Sequence, residues 1–257
     1  MAIQKKTVWI TGASSGIGME FAKAYAKKGY RLILTARRKD RLDAMAQTLD
    51  TDCRVEVADL SDEEECYRVC NLLMDEKIDI FINNAGFGTC GNFAKTDLSK
   101  EVNMIRVNVT AMHILCKQML IDMKKRGRGT ILNVASSAGL LPGGPYMAAY
   151  YATKSYVVSL TKGIAEELRM ENSDVYVCAL CPGPVDTEFN ANADVEFALR
   201  GISPTQCVEE ALRGIKRRQT VIVPGIFVRL GSGFSRIIPD RIMLPLIAGR
   251  QKKKTGA

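Results

Sequence analysis

The sequence predicts an α/β fold, a single doubly wound parallel sheet with helices on both faces, and three observations point to it. Short apolar runs alternate with helix-length segments through residue 180, the rhythm of parallel strands joined by crossover helices. A glycine-rich turn follows the first run and leads directly into a helical pattern. The chain has 257 residues, 47% of them hydrophobic, enough to fill one sizeable core.

Taken in order, residues 7–10, 31–35, 53–57, 78–82, 130–134 and 175–180 read as strands. The helix after the glycine turn extends to about Lys28. Leu42, Met45, Ala46 and Leu49 recur at helical spacing, as do Val102, Ile105, Val109, Met112, Cys116 and Met119. Both stripes are expected in the core or at a subunit interface. Ser203-Pro204 reads as an N-cap followed by proline at the first helical position, which predicts a helix over 204–217 with a basic last turn. Residues 221–248 mix apolar clusters with Gly, Pro and Arg and read as a strand followed by short helices. No repeat, low-complexity stretch or linker divides the chain, so residues 1–257 are expected as one domain.

Composition narrows the classes of function. No run of 18 apolar residues occurs, and residues 1–11 lack a signal-peptide centre, so a cytoplasmic location is expected. Eight cysteines in a chain of this length do not suggest a disulfide framework. Cys178 and Cys181 form a CxxC, but with no second pair and one histidine they are read as small buried residues ending a strand, and no metal is expected. The net charge of +8 sits at one end: residues 200–257 hold 12 Lys/Arg and 3 Asp/Glu, residues 1–199 hold 24 and 25. A solvated basic tail, an anionic partner and a peripheral contact with anionic lipid all fit this asymmetry, and no nucleic-acid partner is expected.

Two constellations carry chemistry. Gly12, Ser14, Ser15, Gly16, Ile17 and Gly18 lie between the first strand and its helix, where glycines let the backbone turn tightly around a pyrophosphate that the helix amides then meet. After the second strand come Arg37, Arg38 and Lys39, with no carboxylate before Asp40. A basic residue there favours a 2′-phosphate, so NADP(H) is expected over NAD(H), with Arg37 on the phosphate. Tyr150 and Lys154 are four residues apart on one helical face, and Ser137 precedes Tyr150 by thirteen, just past a strand. A free phenol has a pKa of about 10, and a nearby ammonium would lower it toward the working range. The rival serine-hydrolase arrangement fails because the lone His113 falls in mid-helix and Ser137 lacks a Gly-x-Ser-x-Gly context.

Together these residues resemble the short-chain dehydrogenase/reductase family in its form of roughly 250 residues, over about residues 5–190. The resemblance implies a Rossmann-type sheet and that Gly12, Gly16 and Gly18 cradle the cofactor. It implies that Asp59, beside Leu60, contacts adenine, that Asn84, Ala85 and Gly86 follow the fourth strand, and that Asn108 anchors a proton-relay water. Ser137, Tyr150 and Lys154 become the catalytic trio, with Tyr150 as acid and Lys154 lowering its pKa and holding the nicotinamide ribose. Residues 182–187, with Pro182, Gly183, Val185 and Thr187, would clasp the nicotinamide, and residues 188–257 would form a substrate loop and C-terminal lid. The phrases at 84–89 and 147–150 are similar to DltE-like reductases, with 3-ketoacyl-CoA and 17β-hydroxysteroid reductases as more distant relatives. That implies a hydrophobic ketone or secondary alcohol, such as a bile acid or acyl thioester, with an anionic group suiting the basic lid. The alternative is an NADP(H)-sensing module without catalysis. The family's habit of dimers or tetramers would use the 102–119 stripe with Val157, Leu160, Ile164 and Leu168.

Overall fold

The strands are continuous apolar runs because both of their faces are covered. Alternate residues of each strand enter opposite cores: Trp9, Ile33, Phe81, Ile131 and Val177 on one side, Ile10, Leu34, Ile82, Leu132 and Cys178 on the other. The computed structural model describes residues 5–188, 201–235 and 238–255. Through residue 180 its elements alternate as the sequence predicts: β1 (Thr7–Thr11), α1 (Gly16–Ala26), β2 (Arg31–Ala36), α2 (Lys39–Thr48), β3 (Cys53–Val57), α3 (Glu63–Leu72), β4 (Ile78–Asn83), α4 (Leu98–Ile105), α5 (Met112–Arg126), β5 (Gly129–Val134), α6 (Ala148–Met170) and β6 (Val175–Leu180). Then follow α7 (Pro204–Lys216), β7 (Val221–Ile222), α8 (Ile226–Phe234) and α9 (Asp240–Thr255).

The seven strands lie in the order β3-β2-β1-β4-β5-β6-β7, and every pairing is parallel. Strand order reverses beside β1, so the carboxyl ends of β1 and β4 diverge there and open a crevice, the place where such sheets take ligands. Polar side chains lock this centre: Asn133 of β5 donates to Thr161 Oγ1 at 3.0 Å, and Asn83 of β4 donates to the Met112 carbonyl at 2.9 Å. Trp9 and Phe81 stack across β1 and β4 with ring centroids 4.4 Å apart.

Several expectations change in detail. A six-residue π-helical turn, Arg106–Ala111, separates α4 from α5 and shifts the facing of the 102–119 stripe. Met112, Cys116 and Met119 are buried, whereas Val102 and Ile105 are exposed. Val157 and Leu168 are core residues of the chain itself, and the partly buried Leu160 and Ile164 pack against that core. Beyond β7, which is two residues long, the short helices are a nine-residue α8 and a sixteen-residue α9. Ser203 caps α7 by accepting from the Gln206 amide at 3.1 Å. Cys178 and Cys181 fall in different cores, on opposite faces of the sheet. Two thiols so placed cannot share an ion. No helix among the described residues is long and apolar enough to cross a membrane. The expected substrate loop at 188–201 lies outside the described residues except for its two ends, Glu188 and Gly201.

The Trp9–Phe81 stack sits at the centre of the sheet. Phe81→Ala should lower the unfolding free energy by about 3–5 kcal/mol, read as a fall in denaturation midpoint at unchanged slope. A loss below about 1 kcal/mol would show that β1 and β4 do not depend on it.

Candidate active site

The site begins where β1 ends. Gly12 and Gly16 adopt φ of +63° and +55°, a region that disfavours side chains, and a Cβ on Gly18 would stand 2.4 Å from the Gly12 carbonyl oxygen. The turn is braced from β4. Asn84 Nδ2 donates to the Thr11 and Gly12 carbonyls at 2.9 and 3.2 Å, while the Thr11 hydroxyl accepts from the Asn84 and Ala85 amides at 2.9 and 3.1 Å. The N-terminus of α1 has no side-chain cap and no acidic residue in its first turn, which leaves its amides and positive dipole end for an incoming anion.

One cavity of about 560 Å³ connects this loop to the tyrosine. Its walls bring together Gly12, Ser14, Ser15, Gly16, Ile17, Arg37, Arg38, Asp59, Leu60, Asn84, Ala85 and Gly86 with Ser137, Tyr150, Lys154, Pro182, Gly183, Val185 and Thr187. Of the residues expected in the site, Gly18 and Asn108 are absent from the lining. Gly18 serves by packing under the turn. Asn108 is buried behind the wall, where its carboxamide donates to the Phe87 carbonyl at 2.8 Å and Thr153 Oγ1 at 3.2 Å and accepts from the Phe87 amide at 3.0 Å. With its side chain so engaged, Asn108 positions the 85–87 segment.

Arg38, not Arg37, reaches the glycine loop: its Nη2 lies 3.2 Å from Ser14 Oγ. Arg38 and Arg41 converge on the Glu188 carboxylate at 3.2 and 2.6 Å, and these guanidiniums, Arg41 foremost, hold that carboxyl below its usual pKa. Sequence spacing gave no sign of Arg41 here.

A second serine joins Ser137 at the tyrosine. Ser136 is the last extended residue after β5 (φ −167°, ψ 159°), and its hydroxyl hydrogen-bonds the Tyr150 phenol and accepts from the Ala138 amide at 3.1 Å. Ser137 opens a 3₁₀ turn, lines the same cavity and gives its amide to the Pro182 carbonyl at 2.8 Å. Counting back from Tyr150 crosses an irregular loop containing Gly143-Gly144. A single residue more or less there changes which serine faces the ring.

Tyr150 is buried, and burial pushes its phenol up to about 12 against the Ser136 hydrogen bond. Lys154 is buried too, which drops its ammonium to about 8; Nζ donates to the Val134 carbonyl at 3.0 Å and lies 5.9 Å from the centre of the Tyr150 ring. Desolvation is the largest influence on the phenol in this pocket. A Cβ on Gly86 would fall 2.8 Å from Asn108 Oδ1 and 3.2 Å from Lys154 Nζ, so that glycine is what lets the two approach. His113 lies on α5 with Nδ1 2.7 Å from the exposed Tyr156 hydroxyl, a pairing unconnected with the serines.

Residues 6–196 match the family model described as short chain dehydrogenase. The chain belongs to the short-chain dehydrogenase/reductase family. This dehydrogenase is 34% identical over 191 residues to an uncharacterized oxidoreductase of Staphylococcus saprophyticus, covering 72% of this chain and 76% of that protein. A short-chain dehydrogenase from Sphingobium yanoikuyae, solved in complex with NADPH, superposes with a TM-score of 0.80 at 32% identity over 90% of this chain and 94% of its own. A bulky-bulky ketone specific alcohol dehydrogenase from Comamonas testosteroni gives 0.77 at 28% identity over 93% and 99%. The dehydrogenase is thus an oxidoreductase whose fold binds a nicotinamide cofactor.

Two measurements follow from this geometry. Ser136→Ala should lower turnover at least about tenfold and Ser137→Ala much less, while Tyr150→Phe should cost about a hundredfold or more with cofactor binding retained; the reverse order for the two serines would restore Ser137. Lys154 has a folded pKa of about 8 against an ordinary 10.5, so between those values the unfolded chain binds the extra proton and stability rises with pH. The difference in unfolding free energy between wild type and Lys154→Met should therefore move in favour of the wild type from pH 8 to pH 10, read by denaturation of both proteins.

Proposed function

We propose that this dehydrogenase uses NADP(H) to interconvert a ketone and a secondary alcohol on a bulky hydrophobic skeleton, of which a hydroxysteroid or bile acid is the representative class. The observation that carries the proposal is the single cavity joining the glycine loop and Arg38 to Ser136, Tyr150 and Lys154 and continuing along Phe87, Val107 and Met147. The residues suit the cofactor: uncapped α1 amides for the pyrophosphate, Asp59 and Leu60 beside the adenine side, Gly183, Val185 and Thr187 beside the nicotinamide. An exposed carboxylate already seated between Arg38 and Arg41 supports the choice of a 2′-phosphate, since the pair accepts an anion at that place.

A bound dihydronicotinamide supplies the hydride. The chain's own residues do the rest. Ser136 and Tyr150 present hydroxyls to the carbonyl oxygen, and Tyr150, protonated at neutral pH because it is buried, gives up its proton as charge develops there. Lys154, charged below about pH 8, sits behind the ring to favour the phenolate that remains and to hold the ribose. Gly86 and Asn108 keep that lysine in place.

Lys100, exposed on α4, lines the same cavity. It supports an anionic substituent on the substrate and keeps an acyl thioester as the second candidate. Of residues 201–257, only Gln251 reaches the lining among the described residues, so we assign the lid to α8 and α9 through contacts such as Val228 on Gly183. On the outside of α8, Ile226, Phe227, Leu230 and Phe234 fall on one helical arc, Phe227 being 87% exposed; Ile242 and Leu246 face outward on α9, with Arg229, Arg241 and Lys252 exposed beside them. We propose that this face rests on anionic lipid.

Cofactor choice is tested by titration: Arg38→Asp should weaken NADPH by about 2 kcal/mol or more, roughly thirtyfold, and leave NADH nearly unchanged. An unaltered NADPH-to-NADH ratio would reject the assignment. The lipid face is tested by co-sedimentation with phosphatidylglycerol vesicles. Wild type should pellet with them at low salt and the Phe227→Ser, Phe234→Ser double variant should not. Equal pelleting of both proteins, or loss of self-association in place of vesicle binding, would assign the face to another use.

A further inference from the structure

At the deep end of the cavity a second polar pair stands apart from the catalytic hydroxyls. Tyr151 and Gln251 both line the cavity and both are buried. Gln251 Nε2 donates to the Tyr151 hydroxyl at 2.8 Å, joining α9 to α6 across 100 residues of sequence. Gln251 Oε1 has no hydrogen-bond partner, the one buried side-chain oxygen or nitrogen so placed among the described residues. The residue is only 4% exposed, and an unmatched amide oxygen at that depth is destabilising unless a ligand satisfies it.

The surroundings are otherwise apolar. Met104, Ala138, Met147 and Ile247 pack with the two tyrosines in one cluster, and the Tyr151 ring fits so closely over Gly144 that a Cβ there would come within 2.3 Å. Burial raises the Tyr151 phenol above its ordinary pKa, so it keeps its proton at neutral pH. That proton is not committed to any acceptor among the described residues. The pair therefore offers one donor, the Tyr151 O–H, and one acceptor, Gln251 Oε1. Turning the carboxamide over commits the phenol proton to Oε1 and leaves the amide N–H groups as donors beside the phenol oxygen as acceptor, so a donor and an acceptor remain side by side in either orientation.

One donor and one acceptor side by side match a hydroxyl group. Tyr151 and Tyr150 line the same cavity with ring centroids 6.4 Å apart, close enough for one bound molecule to meet both. We propose that Tyr151 and Gln251 form a subsite for a second hydroxyl on the substrate skeleton, making the substrate a hydroxylated polycyclic ketone rather than a plain hydrophobic one. This rests on the ketone reductase reading and narrows it. It also gives α9 a direct part in selectivity: the helix carries the acceptor that a substrate without this hydroxyl leaves unsatisfied.

The test uses the NADPH-loaded enzyme and binding rather than turnover. The probes are a polycyclic monoketone and its derivatives carrying one added hydroxyl at each ring position in turn, with dissociation constants from calorimetry. One derivative should bind at least about tenfold more tightly than the parent, and Gln251→Leu and Tyr151→Phe should each bring that ratio toward one. A ratio is the readout because a merely structural loss would weaken parent and derivative together. Equal binding of all probes, no binding of any, or a preference that survives both substitutions would overturn the subsite. A preferred derivative that binds but leaves NADPH unoxidised would count against the reductase reading and leave the subsite standing.

Discussion

The site depends first on the tie between the carboxyl ends of β1 and β4. Thr11 is the last residue of its strand, and its hydroxyl accepts from two successive amides, Asn84 and Ala85. Asn84 returns the contact by donating to the carbonyls of Thr11 and Gly12. Thr11 is buried and Asn84 and Ala85 partly so, and a buried amide without an acceptor costs about 1–3 kcal/mol. The glycine turn is thereby fixed on one wall and the 84–87 segment on the other. The crevice between them exists because the chain crosses from one side of the sheet to the other beside β1.

A second set of ties places the proton donor. Asn108 holds the Phe87 backbone at both its amide and its carbonyl, Gly86 leaves room for Lys154 beside Asn108, and Lys154 in turn is held by the Val134 carbonyl. The π-helical turn at Arg106–Ala111 is what delivers Asn108 to this position at the junction of α4 and α5. Burial then acts in opposite directions on the two titrating groups, keeping Tyr150 protonated and making the Lys154 charge easy to lose.

Much of this was legible in the sequence, and the boundary has physical causes. The central strands stood out because burial on both faces leaves them rich in apolar residues, whereas β3 carries Arg54 and Glu56 and two-residue β7 is too short to show a period. Glycines with positive φ, Tyr150 and Lys154 are recognisable because their chemistry tolerates few substitutes at fixed spacing within a turn or a helix. Spacing failed where it crossed irregular backbone. It did not single out Ser136, which bonds the Tyr150 phenol while Ser137 lines the same cavity, or the reach of Arg38 beside Arg37, and it read residues 102–119 as one stripe across a π turn. Arg41, Tyr151 and Gln251 left no signal at all. Their roles come from contacts between segments far apart in the chain, such as Glu188 on Arg41 and Gln251 on Tyr151.

The Glu188 bridge to Arg38 and Arg41 has a bearing on how this end of the cavity meets an anion. An arriving phosphate does not find bare cations; it exchanges with a carboxylate from the chain itself. In such an exchange one ion pair is broken for each one made, so the net attraction is smaller than the number of guanidiniums suggests and varies less with ionic strength than a simple association. The carboxylate that leaves sits next to Thr187 and at the head of the 188–201 segment. An anion that took the two arginines would therefore displace the residue that directly follows Thr187, a member of the cavity wall.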